Sequence, residues 1–395
     1  MTTTRRRFLQ MACAAGAVST TPVLLVPGTA GATSPDHSLV VLVLRGGLDG
    51  LSAVVPRGDG RYRDQRRASA VSESALLPLD GDFGFHPALE PLYGFYRAGH
   101  LAPVVGVGGS TPSRSHFVQQ AALDLGVDAL GHPNGWIARH LRTVQGDGPL
   151  RAMSSGSRRS SALRGAPQAS AIGDLTEFGI AGVGPEDAER AKSAFRLAAG
   201  DGDFGVAAGD ALRVMSLTEN AARLERPSAY PDTGLGASLA GVAALVRSGA
   251  GLEVAVVDVG GWDTHTFQGG DQGRLANALQ RLSAGLAAFL ADLGDRLAST
   301  TVVVVSEFGR RVSENASGVT DHGRAGIALV AGGGLRGGRV LGDWAGLRPD
   351  QLDDGDVRVT TDVRDVFAEV VGGRMGNGDL AEVFPGHRPR PVGFA

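Results

Sequence analysis

Cysteine is almost missing from this chain: its 395 residues contain one, Cys13. That residue lies in an N-terminal leader. The exported remainder is therefore expected to have no disulfide, no thiolate metal ligand and no cysteine nucleophile. Lysine is equally scarce, with Lys192 alone, and arginine supplies the other basic charges. The balance is still slightly negative, at -3, and becomes more acidic once Arg5, Arg6 and Arg7 leave with the leader. A protein built to hold nucleic acid would show the opposite sign, so nucleic acid is not an expected partner. Aromatics make up only 5% of the chain, no internal repeat is visible, and no segment reads as a stable membrane span.

Residues 4–10, Thr-Arg-Arg-Arg-Phe-Leu-Gln, follow the twin-arginine pattern of two adjacent arginines, one free position and Phe-Leu. A modest apolar stretch runs from Met11 to about Val26, and Ala30-Gly31-Ala32 offers a small-residue cleavage site. Residues 1–32 are thus expected to be a signal peptide read by the twin-arginine translocase. The mature chain would begin near Thr33 and be secreted or kept in the cell envelope. The competing reading, an N-terminal anchor, needs a longer and more apolar stretch than this one.

What is abundant is glycine, 60 residues, and short β-branched runs. Apolar strands are expected over 37–44, 101–107, up to 258 and up to 306; their continuous hydrophobicity suits a parallel sheet buried on both faces. Helices are expected over 87–97, 117–125, 186–197, 211–224, 236–248, 274–297 and 360–371, the last capped by Thr361 or Asp362. The glycine-rich run 328–341 reads as strand and turn, because it lacks the Gly-Lys-Ser ending of a phosphate loop. The 146–234 region, rich in Ser, Gly, Ala and Arg, reads as a long helical and loop insertion. The fold class expected is α/β, a three-layer α/β/α sandwich with a mostly parallel sheet, occupying 33–395 as one domain.

Several strands end abruptly in carboxylates and imidazoles, and ligands of open α/β sheets bind beyond the carboxyl ends of strands. Asp49 follows the first strand, Asp263 and His265 the fourth, Glu307 the fifth, and Asp321 and His322 a loop later. These are donors for Zn²⁺ and similar ions, which can grip the oxygens of a displacement reaction. Each has a plainer alternative. Asp49 could form a turn beside Gly50, Glu307 could pair with Arg310 or Arg311, and Asp321 could merely orient an imidazole. Asp258 reads as a strand-end ligand or a loop cap. Ser110, Ser113 and Ser115 precede a helix N-terminus, where an anion is favoured. Ser113 and Ser115 are the candidate nucleophiles, and His116 is a further catalytic candidate. His86 reads as structural.

These residues resemble a known family. L-R-G-G-L-D-G-L at 44–51, S-R-S-H-F at 113–117, G-G-W-D-T-H at 260–265, S-E-F-G-R at 306–310, D-H-G-R at 321–324 and G-G-G-L-R-G-G at 332–338 resemble domain-of-unknown-function family 1501. Its members are exported bacterial proteins placed in the alkaline-phosphatase superfamily. The resemblance implies an alkaline-phosphatase-like fold and metal-dependent hydrolysis of phosphate or sulfate esters, with Zn, Mn, Ca or Mg as the divalent metal. It implies Asp49 at one metal, Asp263 and His265 at another, and His322 closing the set. Where relatives carry an Asp-His pair this chain has Glu307-Phe308, so one site lacks an imidazole; it binds through His116 instead or stands empty. Residues 110–114 are similar to the start of a sulfatase signature, but the rest of that signature is absent. The function expected is an exported metal-dependent phosphate or sulfate ester hydrolase. The alternatives are a non-catalytic secreted binding or assembly protein and a transferase acting on envelope polymers.

Overall fold

The computed structural model describes residues 37–395 apart from 129, 130, 147, 181 and 201. The leader expected over 1–32 lies outside the described residues. Strand β1 (Ser38–Leu44) is buried along its whole length. Its residues alternate between two cores. Val40, Leu42 and Leu44 point into one cluster with Leu239, Leu279 and Phe289. Leu39, Val41 and Val43 point into the other with Trp136, Phe367 and Phe384. A strand whose successive side chains leave on opposite faces must be apolar throughout when both faces are covered. That arrangement makes three layers, as expected.

The central sheet has eight strands: β1, β2 (Leu101–Gly108), β3 (Ala152–Ser155), β4 (Ala169–Ile172), β5 (Val254–Val259), β6 (Thr300–Val305), β7 (Gly326–Gly332) and β8 (Thr361–Asp362). Their order is β8-β2-β7-β6-β1-β5-β3-β4. Strand β1 pairs in parallel with both β5 and β6, Val41 lying opposite Val256 and Val303. Only β7 runs against its neighbours, β2 and β6. Helices α1 (Glu90–Arg97), α2 (His116–Leu125), α3 (Trp136–Thr143), α4 (Ala188–Ala199), α5 (Asp203–Ala222), α6 (Gly234–Arg247), α7 (Arg274–Asp292) and α8 (Val363–Glu369) accompany the sheet. No helix among the described residues is long and apolar enough to cross a membrane.

Three expectations change. The 146–234 region is not wholly an insertion: β3 and β4 lie in it and extend the main sheet in parallel from β5. They are four residues each and serine-rich, so no apolar run announces them. Helix α3 was not expected, because its buried Arg139 and His140 break the hydrophobic periodicity. The helix expected over 87–97 opens as a 3₁₀ turn, Pro87–Leu89, capped by His86, whose Nδ1 accepts the Ala88 N–H at 3.0 Å. Asp362 rather than Thr361 caps α8, accepting the Arg364 N–H at 2.9 Å.

His140 offers a test of the core around α3. Its imidazole accepts from Asn377 Nδ2 at 2.8 Å and is buried. Burial, helped by the charge of Arg151, lowers its pKa to about 4. The unfolded chain therefore takes up a proton near pH 6.5 that the folded chain refuses until about pH 4, so this residue's contribution to stability falls as pH drops through that window. Thermal unfolding of wild type and His140→Asn between pH 7 and 4 is expected to show a shallower acid loss in the variant. Equal slopes would show that His140 does not report the core.

Candidate metal and active site

The loops that leave β1, β5 and β6 meet at one end of the sheet. Gly46 follows β1 with φ +128°, and a Cβ there would lie 2.4 Å from the Asp263 nitrogen. Gly47 has its Cα against the Phe308 ring, which an added Cβ would meet at 2.4 Å. Glycine is required at both because the β5 and β6 loops press on the turn after β1. This close approach brings residues far apart in sequence to one place.

His116 opens α2 and His322 precedes β7, the latter held by a bridge between Arg310 and His322. Ligand atoms of His116, Asp263 and His322 lie within 4.8 Å of one another. His322 Nε2 is 3.0 Å from Asp263 Oδ1 and 2.8 Å from His265 Nε2. His265 Nε2 is 2.9 Å from Asp263 Oδ1, and His116 Nε2 is 3.6 Å from Asp263 Oδ2. His116 Nε2 is a buried atom with no hydrogen-bond partner. Four ligands held about 2.0–2.1 Å from a tetrahedral ion stand about 3.3 Å apart. Around Asp263 the separations run from 2.8 to 3.6 Å; His116, Asp263 and His322 are the three whose ligand atoms all lie within 4.8 Å of one another, and His265 adjoins them through Asp263 and His322. The donor set fits a divalent cation.

The outer nitrogens are fixed as well. His116 Nδ1 lies 2.7 Å from Glu307 Oε1, and an ionised carboxylate only accepts, so Nδ1 donates and Nε2 is left for a ligand. His322 Nδ1 donates in the same way to the Arg114 carbonyl at 3.2 Å. His265 Nδ1 faces Asp321 Oδ1 at 3.7 Å, and Asp321 is itself held by Asn315. The Phe308 ring packs 4.8 Å from both His116 and His322.

Charges in the site are settled by near neighbours. Burial works to raise the Asp263 pKa, but hydrogen bonding with His322 and the charges of His265 and Arg310 bring it below its usual value. Burial and then the Arg310 charge lower the His265 pKa, which favours the neutral, ligating form. Glu307 also lies low despite its burial, because Gln120, its own backbone, His116 and Gly46 donate to it.

The structure gathers Asp263, His265, His322 and His116 and sets the other candidates around them. Glu307 lies behind His116 and pairs with neither Arg310 nor Arg311; Arg310 joins Asp263 at 2.9 Å instead. Asp49 stands apart from the cluster. It is fully buried, and its Oδ2 accepts from Arg66 at 2.5 Å, Gln268 at 2.6 Å and Ser52 at 3.0 Å. Asp258 pairs with Arg45 at 2.7 Å. Ser110 is held by Arg364 and Asp128. The Ser113 hydroxyl accepts the Ser115 N–H at 3.1 Å, and the Ser115 hydroxyl has no partner among the described residues. Reading the sequence did not single out Arg66, Gln120 or the true partner of Arg310, since their spacing along the chain carries no periodic pattern.

A family model described as "Protein of unknown function (DUF1501)" matches residues 110–392. No curated protein matches the chain. Solved structures that it resembles include the C-terminal periplasmic domain of EcEptC from Escherichia coli in complex with Zn, at 11% identity over 78% of this chain and 77% of that one, TM-score 0.36. Another is a sulfatase from Pseudoalteromonas sp., at 11% identity over 87% and 68%, TM-score 0.38. A third is a protein in the alkaline phosphatase superfamily from Vibrio parahaemolyticus, at 12% identity over 94% and 76%, TM-score 0.36.

Gly46→Ala tests the interlocked turn. The positive φ and the contact with the Asp263 backbone are together expected to cost 1 kcal/mol or more, on the order of the penalty for a side chain in a left-handed position. Thermal unfolding should show a lower Tm. An unchanged Tm would mean that the Asp263 loop yields freely.

Proposed function

This chain belongs to the DUF1501 family, and we propose that it is an exported, metal-dependent hydrolase of phosphate or sulfate esters. The observation that carries this reading is the convergence of His116, Asp263, His265 and His322, from a helix start and two loops, at one end of a parallel sheet. A divalent ion held by these groups supplies positive charge to the oxygens of a phosphate or sulfate ester. Glu307 and the Arg114 carbonyl keep two of the imidazoles in the required orientation. Asp321 steadies the third from outside.

In this reading Ser115 or Ser113 attacks the phosphorus or sulfur. Its oxygen forms the new ester bond, the old one breaks to release an alcohol that takes up a proton, and water then frees the serine. Ser115 occupies the N-cap position of α2 with its hydroxyl uncommitted, beside the helix end that favours an anion. The domain is proposed to span 33–395, with residues 1–32 removed on export through the twin-arginine translocase.

The test is turnover of aryl phosphates and aryl sulfates by the full mature chain with Zn²⁺, Mn²⁺, Ca²⁺ or Mg²⁺. Activity is expected with at least one ion, and His322→Ala and Asp263→Asn should each lower kcat/KM by about 100-fold or more, on the order of the loss from removing a group that stabilises transition-state charge. Ser113→Ala and Ser115→Ala made separately identify the nucleophile. Glycerol added as acceptor separates hydrolysis from transfer, since a transferase yields the glycerol ester. No turnover with any ion overturns the enzymatic reading and leaves the binding-protein one.

Export has its own check. Replacing Arg5 and Arg6 together by lysine should leave uncleaved precursor in the cytoplasm of a host with the twin-arginine route, read by fractionation. Normal export of that variant would exclude this route.

A further inference from the structure

Two of the carboxylates that a two-metal site would need are already met by buried guanidinium groups. We propose that this site holds a single divalent cation, and that Arg310 and Arg66 provide the fixed positive charge a second ion would bring. The inference rests on the metal-binding reading above and specifies its stoichiometry.

Arg310 is 1% exposed, and five protein oxygens accept from it. Its Nε donates to the Gly47 carbonyl at 2.7 Å, and Nη1 donates to the Thr320 carbonyl at 2.9 Å. Its Nη2 reaches the Gly46 carbonyl at 2.9 Å, the Trp262 carbonyl at 3.0 Å and Asp263 Oδ1 at 2.9 Å. The remaining Nη1 direction faces His265 at 3.4 Å. Buried and held by five protein oxygens, Arg310 acts as a built-in charge and not as a substrate clamp. Burial works against that charge, and Asp49, Asp263 and Glu307 favour it.

Arg66 plays the same part at Asp49. Both side chains are fully buried and meet at 2.5 Å. Arg66 also donates to the Val312 and Arg311 carbonyls and to the Ser52 hydroxyl, so it cannot swing away without leaving buried acceptors unmet. Asp49 Oδ1 accepts nothing among the described residues, and it is the atom of Asp49 by which a second ion could be held.

Charge balance decides between one ion and two. Asp49, Asp263, Glu307 and Asp321 carry four negative charges and the two arginines offset two. One divalent ion balances the remainder. A second would add two more charges beside buried guanidinium groups that cannot move, a strongly repulsive arrangement in a poorly solvated place. His116, Asp263 and His322, whose ligand atoms all lie within 4.8 Å of one another, are also the three ligands that one ion with an open position would take.

The experiment is metal stoichiometry on the full mature chain. The protein is stripped with chelator, titrated calorimetrically with Zn²⁺ and with Mn²⁺, and its metal content measured after desalting. One ion per chain is expected. Asp263→Asn and His322→Ala should each weaken binding about 100-fold or more, at least the size of loss seen when a supporting group of a metal site is removed. Asp49→Asn, if folded by circular dichroism, should still bind one ion. Should that variant not fold, the anomalous scattering of wild-type crystals grown with Zn²⁺ gives the count independently, with one peak beside Asp263 and none beside Asp49. Two ions per chain, or a folded Asp49→Asn that binds fewer than wild type, would overturn the single-ion proposal and leave the hydrolase reading standing. No bound ion at all would overturn both.

Discussion

The buried guanidinium of Arg310 is the constraint on which the site depends. It draws carbonyl oxygens from the turn after β1, the loop after β5 and the loop before β7 onto one planar group. Burying a charge is costly unless every donor is met. Here four carbonyls and Asp263 accept from it, so the cost is offset only when the three loops take up this single arrangement. Asp263, His265 and His322 ride on two of those loops. Their mutual distances therefore follow from the satisfaction of Arg310, and the sheet beneath supplies a rigid base.

A second level of order comes from carboxylates set behind imidazoles. Glu307 fixes the tautomer of His116 while receiving N–H groups from Gly46 and Gln120. Gln120 lies one helical turn beyond His116, so α2 presents both to the same acid. Phe308 fills the space beside two of the rings. In this chain the segment after β6 thus contributes support to the site through Glu307, packing through Phe308 and charge through Arg310.

Much of this was legible in the sequence. The β-branched runs of β1, β5 and β6 announced buried parallel strands, and the G-G-W-D-T-H and D-H-G-R segments pointed to donors at their ends. The directions of side chains were not legible. Asp49 caps the short helix Gly50–Ala53 and turns toward Arg66, and its nearest donors include Gln268, which lies 219 residues away in the chain. Nothing local distinguishes such an acid from a ligand. Glu307 follows a strand end as expected, yet its carboxylate meets His116 Nδ1 and the Gly46 N–H. Strands β3 and β4 escaped notice because four-residue strands containing serine are too short to leave a pattern. The family resemblance drawn from short motifs agreed with the match over residues 110–392.

A guanidinium cannot be chelated. In many small metalloproteins the ion itself ties the loops, and its loss unravels them. Here an arginine ties the loops, so on the single-ion proposal the ion would enter and leave a fold that is already closed. The chain would then fill or empty without refolding.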